Sequence, residues 1–353
     1  MSERVTPQEV MKALSAVEDP VARRDIVALG YVKNVEVGTN GVVLTLQFPA
    51  SASSVQGELV VAIKRAVQQL GVEEVQIHQL ASPPAPTRGS ALIPGVKHTI
   101  AVASGKGGVG KSTVAANLAS ALQQQGVAVG LMDTDVYGPS IPVLLGSKEQ
   151  PRVVEGKLAA PVEYGIKVMS MAYFLPKDEA VIWRGPMLHK TIQQFLGDVR
   201  WGELDYLVID LPPGTGDIQL SLSQTIPLTG AVIVSTPQDL ALAVAWKAIA
   251  MFNKMNVPIL GIIENMSYYV CPHCGERAEI FGHGGAREAA KKLGLAFLGE
   301  IPLDPVIRAE SDAGRPVALD SSSPHYAAYQ NVARAVREQA ERVGREAPPI
   351  SFE

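Results

Sequence analysis

The run Val-Ala-Ser-Gly-Lys-Gly-Gly-Val-Gly-Lys-Ser-Thr, residues 102 to 113, constrains this chain more than any other stretch. From Gly105 to Ser112 it fits G-x-x-x-x-G-K-[ST], and its flanks are the ones that motif needs. His98 to Ser104 reads as a short buried strand, and Ser112 to Gln125 as a helix with Val114, Leu118 and Leu122 on one face. Strand, glycine-rich loop and helix N-terminus together make a phosphate site. The glycines turn successive N–H groups inward, and the helix dipole favours an anion. Gly105, Lys106, Gly107, Gly108, Val109, Gly110, Lys111, Ser112 and Thr113 are the expected nucleotide contacts. Lys111 is expected to reach the β- and γ-phosphates, and the Ser112 hydroxyl to ligate Mg2+. A glycine-rich turn that carries Lys-Ser by chance would lack that strand and that helix.

Lys106 follows the first glycine directly, where the general motif asks for no lysine. The pattern K-G-G-x-x-G-K-[ST] resembles the deviant Walker A ATPases, a group that includes the ParA, MinD, arsenite-pump and nitrogenase iron-protein families. In that group the lysine crosses a two-fold interface to the partner's nucleotide. The resemblance therefore implies a homodimer with ATP between its subunits, and catalytic roles for Lys106 and Lys111. The other reading of Lys106 is a solvent-facing loop residue.

A length of 353 residues suggests about two domains, and 47% hydrophobic with 19% charged residues is the make-up of a soluble globular protein. A net charge of −4 supplies no basic field, which disfavours nucleic acid as a partner. Met1 to Val5 is polar and lacks the apolar core of a signal peptide, and no run approaches the ~18 apolar residues of a membrane span. The expected address is the cytoplasm, with no membrane partner.

Thr6-Pro7-Gln8-Glu9 opens a helix by two rules, a Thr6–Glu9 capping box and a proline in the first turn, with Met11, Leu14 and Val17 as its buried stripe. Tyr31 to Val37 and Val42 to Phe48 alternate as strands around Thr39-Asn40-Gly41. Ala52 to Leu70 is a second helix and Glu74 to Leu80 a third strand. Residues 1 to 81 thus read as a small α+β domain, near the lower size at which a core stands alone. Asp25-Ile26-Val27-Ala28-Leu29-Gly30 looks like the small domain of iron–sulfur assembly factors. Some relatives of that domain carry a cysteine and this one has none, which points to docking or stabilisation rather than metal binding. Residues 82 to 96, with Ser82-Pro83-Pro84-Ala85-Pro86, read as a linker that lets the domains move. The nucleotide-binding domain then spans 97 to 345, and 346 to 353 form a tail.

From His98 onward strand and helix alternate, which predicts an α/β fold: a P-loop NTPase with a mostly parallel sheet and helices on both faces. Strands are expected at 98–104, 127–133, 166–171, 206–210, 231–235, 259–263 and 296–299, with ligands beyond their carboxyl ends. Asp133-Thr134-Asp135-Val136-Tyr137-Gly138 resembles switch I of the deviant group. That makes Asp135 the candidate for polarising the attacking water, with Asp133 either sharing the task or merely ending the strand. Leu207-Val208-Ile209-Asp210 has the form of a Walker B strand, whose Asp210 would hold Mg2+ through water. It continues as Leu211-Pro212-Pro213-Gly214-Thr215-Gly216-Asp217, which looks like switch II and adds Asp217 to the nucleotide-sensing residues. Asn265, past a strand expected to end at Ile263, lies where relatives read adenine with an amide; a polar turn residue is the alternative.

Cys271 and Cys274 are the chain's two cysteines, within Tyr268-Tyr269-Val270-Cys271-Pro272-His273-Cys274-Gly275. Two thiolates at C-x-x-C spacing clasp one metal centre, yet a closed Zn2+ site and a [4Fe–4S] cluster each want four protein ligands. Two chains about a two-fold axis supply four, so the half-site and the dimer implied by Lys106 support each other. With Glu264-Asn265-Met266-Ser267 before the pair and Ile280-Phe281-Gly282 after it, residues 98 to 317 closely resemble the Mrp (ApbC-like) iron–sulfur cluster carriers. Trp183-Arg184-Gly185-Pro186-Met187 also matches, although no physical role follows for Arg184. The resemblance implies an ATPase that holds a labile [4Fe–4S] cluster between subunits on Cys271 and Cys274. It would take the cluster from a scaffold or donor and pass it to apo iron–sulfur proteins. Open alternatives are a [2Fe–2S] cluster on the same thiols, a zinc knuckle with His273 or His283 as an extra ligand, and a redox dithiol.

Pro324 to Val343 reads as a helix with Tyr329, Val332, Val336, Ala340 and Val343 on one face. Its apolar residues are small and its charges mixed, unlike the basic membrane-binding helix of MinD-type ATPases, so it is expected to pack on the sheet. This weighs against a switch that assembles on DNA or membrane, the rival from another class. A zinc-stapled ATPase acting as a metal chaperone is the third reading.

Overall fold

The computed structural model describes residues 5–20, 24–27, 29, 31–38, 41–46, 56–72, 74–79, 92–174 and 185–346. Two compact units emerge, one within residues 1–85 and one spanning 86–346. Most of the expected linker (82–91), the Trp183-Arg184 pair and the tail from 347 lie outside the described residues.

In the first unit, α1 (Pro7–Leu14) begins as its sequence dictates. Glu9 N–H donates to Thr6 Oγ1 at 3.3 Å and Thr6 N–H to the Glu9 carboxylate at 2.8 Å. Val10, Leu14 and Val17 are buried, while Met11 is only half-buried. The buried stripe therefore runs through Val10 rather than the expected Met11, because positions four apart share a helix face and Met11 lies about 100° round from Val10. β1 (Val32–Val37), β2 (Gly41–Leu46) and β3 (Glu74–Gln79) form one sheet, with β2 antiparallel to β1 and parallel to β3. The parallel pair needs a crossover, which α2 (Gln56–Gln68) supplies, and Leu44, Leu46, Leu59, Ile63 and Val67 close the core.

The second unit is built on β4 (Val96–Ala103), β5 (Val129–Asp133), β6 (Val162–Glu163), β7 (Ile166–Ser170), β8 (Leu204–Asp210), β9 (Gly230–Ser235), β10 (Ile259–Asn265) and β11 (Phe297–Ile301). The order across the sheet is β6-β7-β5-β8-β4-β9-β10-β11. Every neighbouring pair is parallel except β6 with β7. β6 escapes sequence reading because two residues carry no period. β10 corrects the expected end at Ile263: Glu264 pairs with Glu300 and Asn265 with Ile301, so Asn265 is a strand residue and not a turn residue. Two polar residues at a strand end carry little β signal of their own, and the partner strand decides.

Helices cover both faces. α3 (Lys111–Gln124) and α10 (Tyr326–Glu346) pack on Ile100, Val102, Val208 and Val234. α5 (Gly185–Gly197), α7 (Asp239–Lys254) and α8 (Gly285–Leu293) pack on Ala101, Leu207, Ile209 and Ile233. Burial on both sides is why these strands read as unbroken apolar runs rather than alternating ones. α10 buries Tyr329, Val332, Val336 and Ala340 against α3 and the sheet, as its pattern predicts. The shorter α4 (Ile141–Leu144), α6 (Asp217–Thr225) and α9 (Pro305–Asp312) lie between these layers' elements in sequence. Among the described residues no helix is long and apolar enough to cross a membrane.

Candidate nucleotide site and cysteine hairpin

The carboxyl ends of β4, β5 and β8 converge where the glycine loop enters α3. Gly110 caps α3 with φ +77°, a left-handed conformation that favours glycine. A Cβ there would also meet Asn265 Nδ2 at 2.3 Å. Asn265, buried at the end of β10, donates that nitrogen to the Val109 carbonyl at 2.8 Å and so pins the loop from beneath. A cavity of about 300 Å3 opens above the loop, lined by Lys106, Gly107, Gly108, Gly110, Lys111, Ser112 and Thr113 together with Asp135, Ser140 and Pro213. The segments after β5 and after β8 therefore both reach the loop's cavity.

Its charges are arranged tightly. Lys111 Nζ lies 2.5 Å from Asp210 Oδ1, 3.2 Å from Ser112 Oγ and 3.9 Å from Asp135 Oδ2. Ser112 donates to the other Asp210 oxygen at 2.6 Å. Burial pushes the Asp210 carboxyl up, opposed by Lys111 and by the two hydrogen bonds. Asp135 accepts the Tyr137 and Gly138 N–H groups on one oxygen at 3.1 and 3.3 Å, which leaves the other toward Lys111. Asp133 does different work. It accepts from Asp135 N–H, Ile141 N–H and Ser170 Oγ at 3.1, 3.2 and 2.9 Å, bracing the 133–141 segment from below without lining the cavity. Burial first, and then the Asp210 charge, push its carboxyl up to about 7. Oxygen donors from Ser112 and Asp210 beside a polar cavity form a set suited to a hard cation such as Mg2+.

Several partners carried no sequence signal. Thr134 ties the end of β5 to the end of β8, donating from N and Oγ1 to the Asp210 carbonyl at 3.0 and 2.8 Å. Gly214 N–H donates to the Ser104 carbonyl at 3.0 Å, which docks the 211–217 segment against the loop. Asp217 opens α6 behind Gly216. Lys106 Nζ reaches Gln238 Oε1 of the same chain at 3.4 Å, at the start of α7.

Beyond β10 the chain forms a short hairpin, Tyr269–Val270 against Arg277–Ala278. Its tip is closed by Cys271 N–H on the Glu276 carbonyl at 2.9 Å and Gly275 N–H on the Cys271 carbonyl at 2.8 Å, with Gly275 at φ +74°. Both cysteines are free, Cys271 half-buried and Cys274 exposed. The Cys271 thiol is held below the usual thiol range by the Cys274 N–H, the His273 N–H and the Cys274 side chain. Among the described residues, the trio at mutual ligand distance is Glu264, His283 and Glu300, within 4.8 Å of one another, and no third group joins the two cysteines.

A doubly covered parallel sheet with a glycine loop on its central strand, and carboxylates on the neighbouring strand ends, defines a P-loop nucleoside triphosphatase. Residues 95–337 match the model of the NUBPL iron-transfer P-loop NTPases of the ParA group, and the chain belongs to that family. Residues 7–78 match the model described as iron-sulfur cluster assembly protein. The iron-sulfur cluster carrier protein of Deinococcus radiodurans is 49% identical over 314 residues, covering 88% of this chain and 88% of the relative. That of Synechocystis is 41% identical over 350 residues, covering 96% and 98%. Among solved structures, the nucleotide-binding protein from Archaeoglobus fulgidus in complex with ADP is 44% identical, with a TM-score of 0.60 over 69% of this chain and 96% of that one. The cell division ATPase MinD of Pyrococcus furiosus shares the fold at 21% identity, with a TM-score of 0.51 over 68% of this chain and 98% of that one.

Proposed function

We propose that this chain is an ATP-hydrolysing carrier that binds a [4Fe–4S] cluster at a homodimer interface in the cytoplasm and delivers it to apo iron–sulfur proteins. The observation that carries the reading is the incomplete ligand set: two free thiols on one hairpin tip, with no third ligand beside them among the described residues, on a chain whose relatives are named cluster carriers. A second copy supplies the two ligands that a four-coordinate centre lacks. The cluster is the cargo, and Cys271 and Cys274 hold it.

The nucleotide site supplies the drive. The loop N–H groups and Lys111 bind the phosphates of ATP, and Lys106 leaves Gln238 to reach the partner's nucleotide. Ser112 and Asp210 would hold Mg2+, which neutralises the phosphate charge when bound. Asp135 orients the attacking water, Asn265 contacts the base, and Asp217 moves with switch II. Closing two subunits around ATP changes the approach of the two cysteine hairpins, so nucleotide and cluster affinities are linked. The first unit, which carries no cysteine, serves as a docking module for donors or recipients.

Anaerobic reconstitution with iron and sulfide tests this, read by visible absorption, metal content and native mass in one sample. The expected result is about four iron per dimer and a broad charge-transfer band, both lost in Cys271→Ala with nucleotide binding retained. One zinc per dimer and no colour would make the hairpin a structural staple.

A further inference from the structure

The cysteine hairpin cannot hold itself in place. Its ladder consists of Tyr269 opposite Ala278 and Val270 opposite Arg277, and a two-stranded ribbon is marginal in water. Its outgoing strand is tied to the sheet through backbone: Ser267 N–H donates to the Ile301 carbonyl at 2.9 Å and Leu303 N–H to the Tyr268 carbonyl at 2.7 Å. Its returning strand is tied through a side chain. The Arg277 guanidinium lies over the Tyr268 ring at 3.8 Å, donates to His283 Nε2 at 3.2 Å, which leaves Nδ1–H to donate to Ser267, and stands 3.9 Å from Glu300.

The footing of that arginine leads back to the nucleotide loop. His283 Nδ1 is 3.1 Å from Ser267 Oγ, and Ser267 donates to Glu264 at 2.6 Å. Glu264 is fully buried and also accepts the Gly284 and Ala286 N–H groups at the start of α8, at 3.0 and 2.7 Å. Its neighbour in β10 is Asn265, which holds the Val109 carbonyl. Successive strand residues face opposite sides of a sheet, so the end of β10 carries the loop's clamp on one face and the hairpin's footing on the other.

We propose that Arg277, seated on His283 and Glu300, is a positioning residue that couples the nucleotide loop to the cysteine pair. A shift at Val109 moves the end of β10. The Glu264–Ser267–His283 chain passes that shift to Arg277, which lies three positions beyond Cys274 on the same hairpin. The two carboxylates and the imidazole do not need a metal ion here: the guanidinium already supplies the cation, and both Glu264 oxygens are taken by donors. The proposal rests on the reading of Cys271 and Cys274 as metal ligands.

The test measures Zn2+ affinity by chelator competition on the full chain, with and without Mg-ADP, for the unaltered protein, Arg277→Ala and Arg277→Lys. The expected nucleotide effect in the unaltered protein is about fivefold or more, the lower bound of ordinary coupling between sites. It should fall to none in Arg277→Ala, with Mg-ADP affinity of the metal-free variant unchanged, and return in part in Arg277→Lys. A nucleotide effect that survives in Arg277→Ala overturns the proposal, and so does its absence from the unaltered protein when Zn2+ binds normally. Zn2+ retained by Cys271→Ser/Cys274→Ser and lost on adding His283→Gln also overturns it, by making the trio a metal site. No Zn2+ bound at all overturns the underlying reading of the cysteines, and the proposal with it.

Discussion

Asn265 Nδ2 donates to the Val109 carbonyl at 2.8 Å and stands 2.3 Å from where a Cβ on Gly110 would be. One amide thus both requires the glycine and fixes the curvature of the phosphate loop, 156 residues away in sequence.

Gly110→Ala should therefore fail twice, since φ +77° is strained for alanine and the added methyl strikes Asn265. A strained position of this kind costs about 1–3 kcal/mol, and it sits where the loop must wrap phosphate. Nucleotide titration calorimetry should show binding lost while the circular dichroism spectrum stays native. Binding equal to the unaltered protein would show that the loop tolerates a different path.

Lys111→Met removes the one cation paired with buried Asp210 among the described residues, and ATP turnover should vanish with it. Breaking a buried pair by deleting one partner costs about 3–5 kcal/mol, because the other charge is left unpaired. Adding Asp210→Asn should recover part of that loss in urea denaturation, although not turnover. A double variant as unstable as Lys111→Met would mean that the pair contributes little to the fold.

The Asp133 carboxyl ionises near 3.8 when unfolded and about 7 in the native protein. Between those values the native state keeps a proton that the unfolded chain has lost. Its contribution to stability is then fully present below about pH 4 and is lost as pH rises to about 7, by an amount on the order of a few kcal/mol. Asp133→Asn should flatten that part of the urea-midpoint profile in magnesium-free buffer. An unchanged slope would assign the pH dependence to other groups.

Lys106 touches Gln238 within its own chain at 3.4 Å and is half-buried. Lys106→Ala should change ADP affinity of the single chain by about fivefold or less, as a partly exposed polar contact is worth about 1 kcal/mol or less. The ATP-dependent doubling of mass in sedimentation should disappear. A variant that still dimerises with ATP would leave the lysine without a role across the interface.

The phosphate loop, the capping box of α1 and the C-x-x-C spacing of Cys271 and Cys274 are legible in the sequence because each is made by residues within about a dozen positions of one another, where spacing and backbone preference suffice. The α/β architecture is legible for the same reason, since strand and helix periods are local. What the sequence left open was decided by strands brought together from far apart. Asp133 and Asp135 differ by two positions, yet only the parallel neighbours β7 and β8 turn one into a buried brace and leave the other in the cavity. Asn265 became a strand residue and a clamp only because β11 extends β10 to it. Arg277, His283 and Glu300 meet only because β10 and β11 run side by side in register, with Glu264 opposite Glu300. Contacts of that kind are set by sheet register, a property of pairs of strands that no single segment carries.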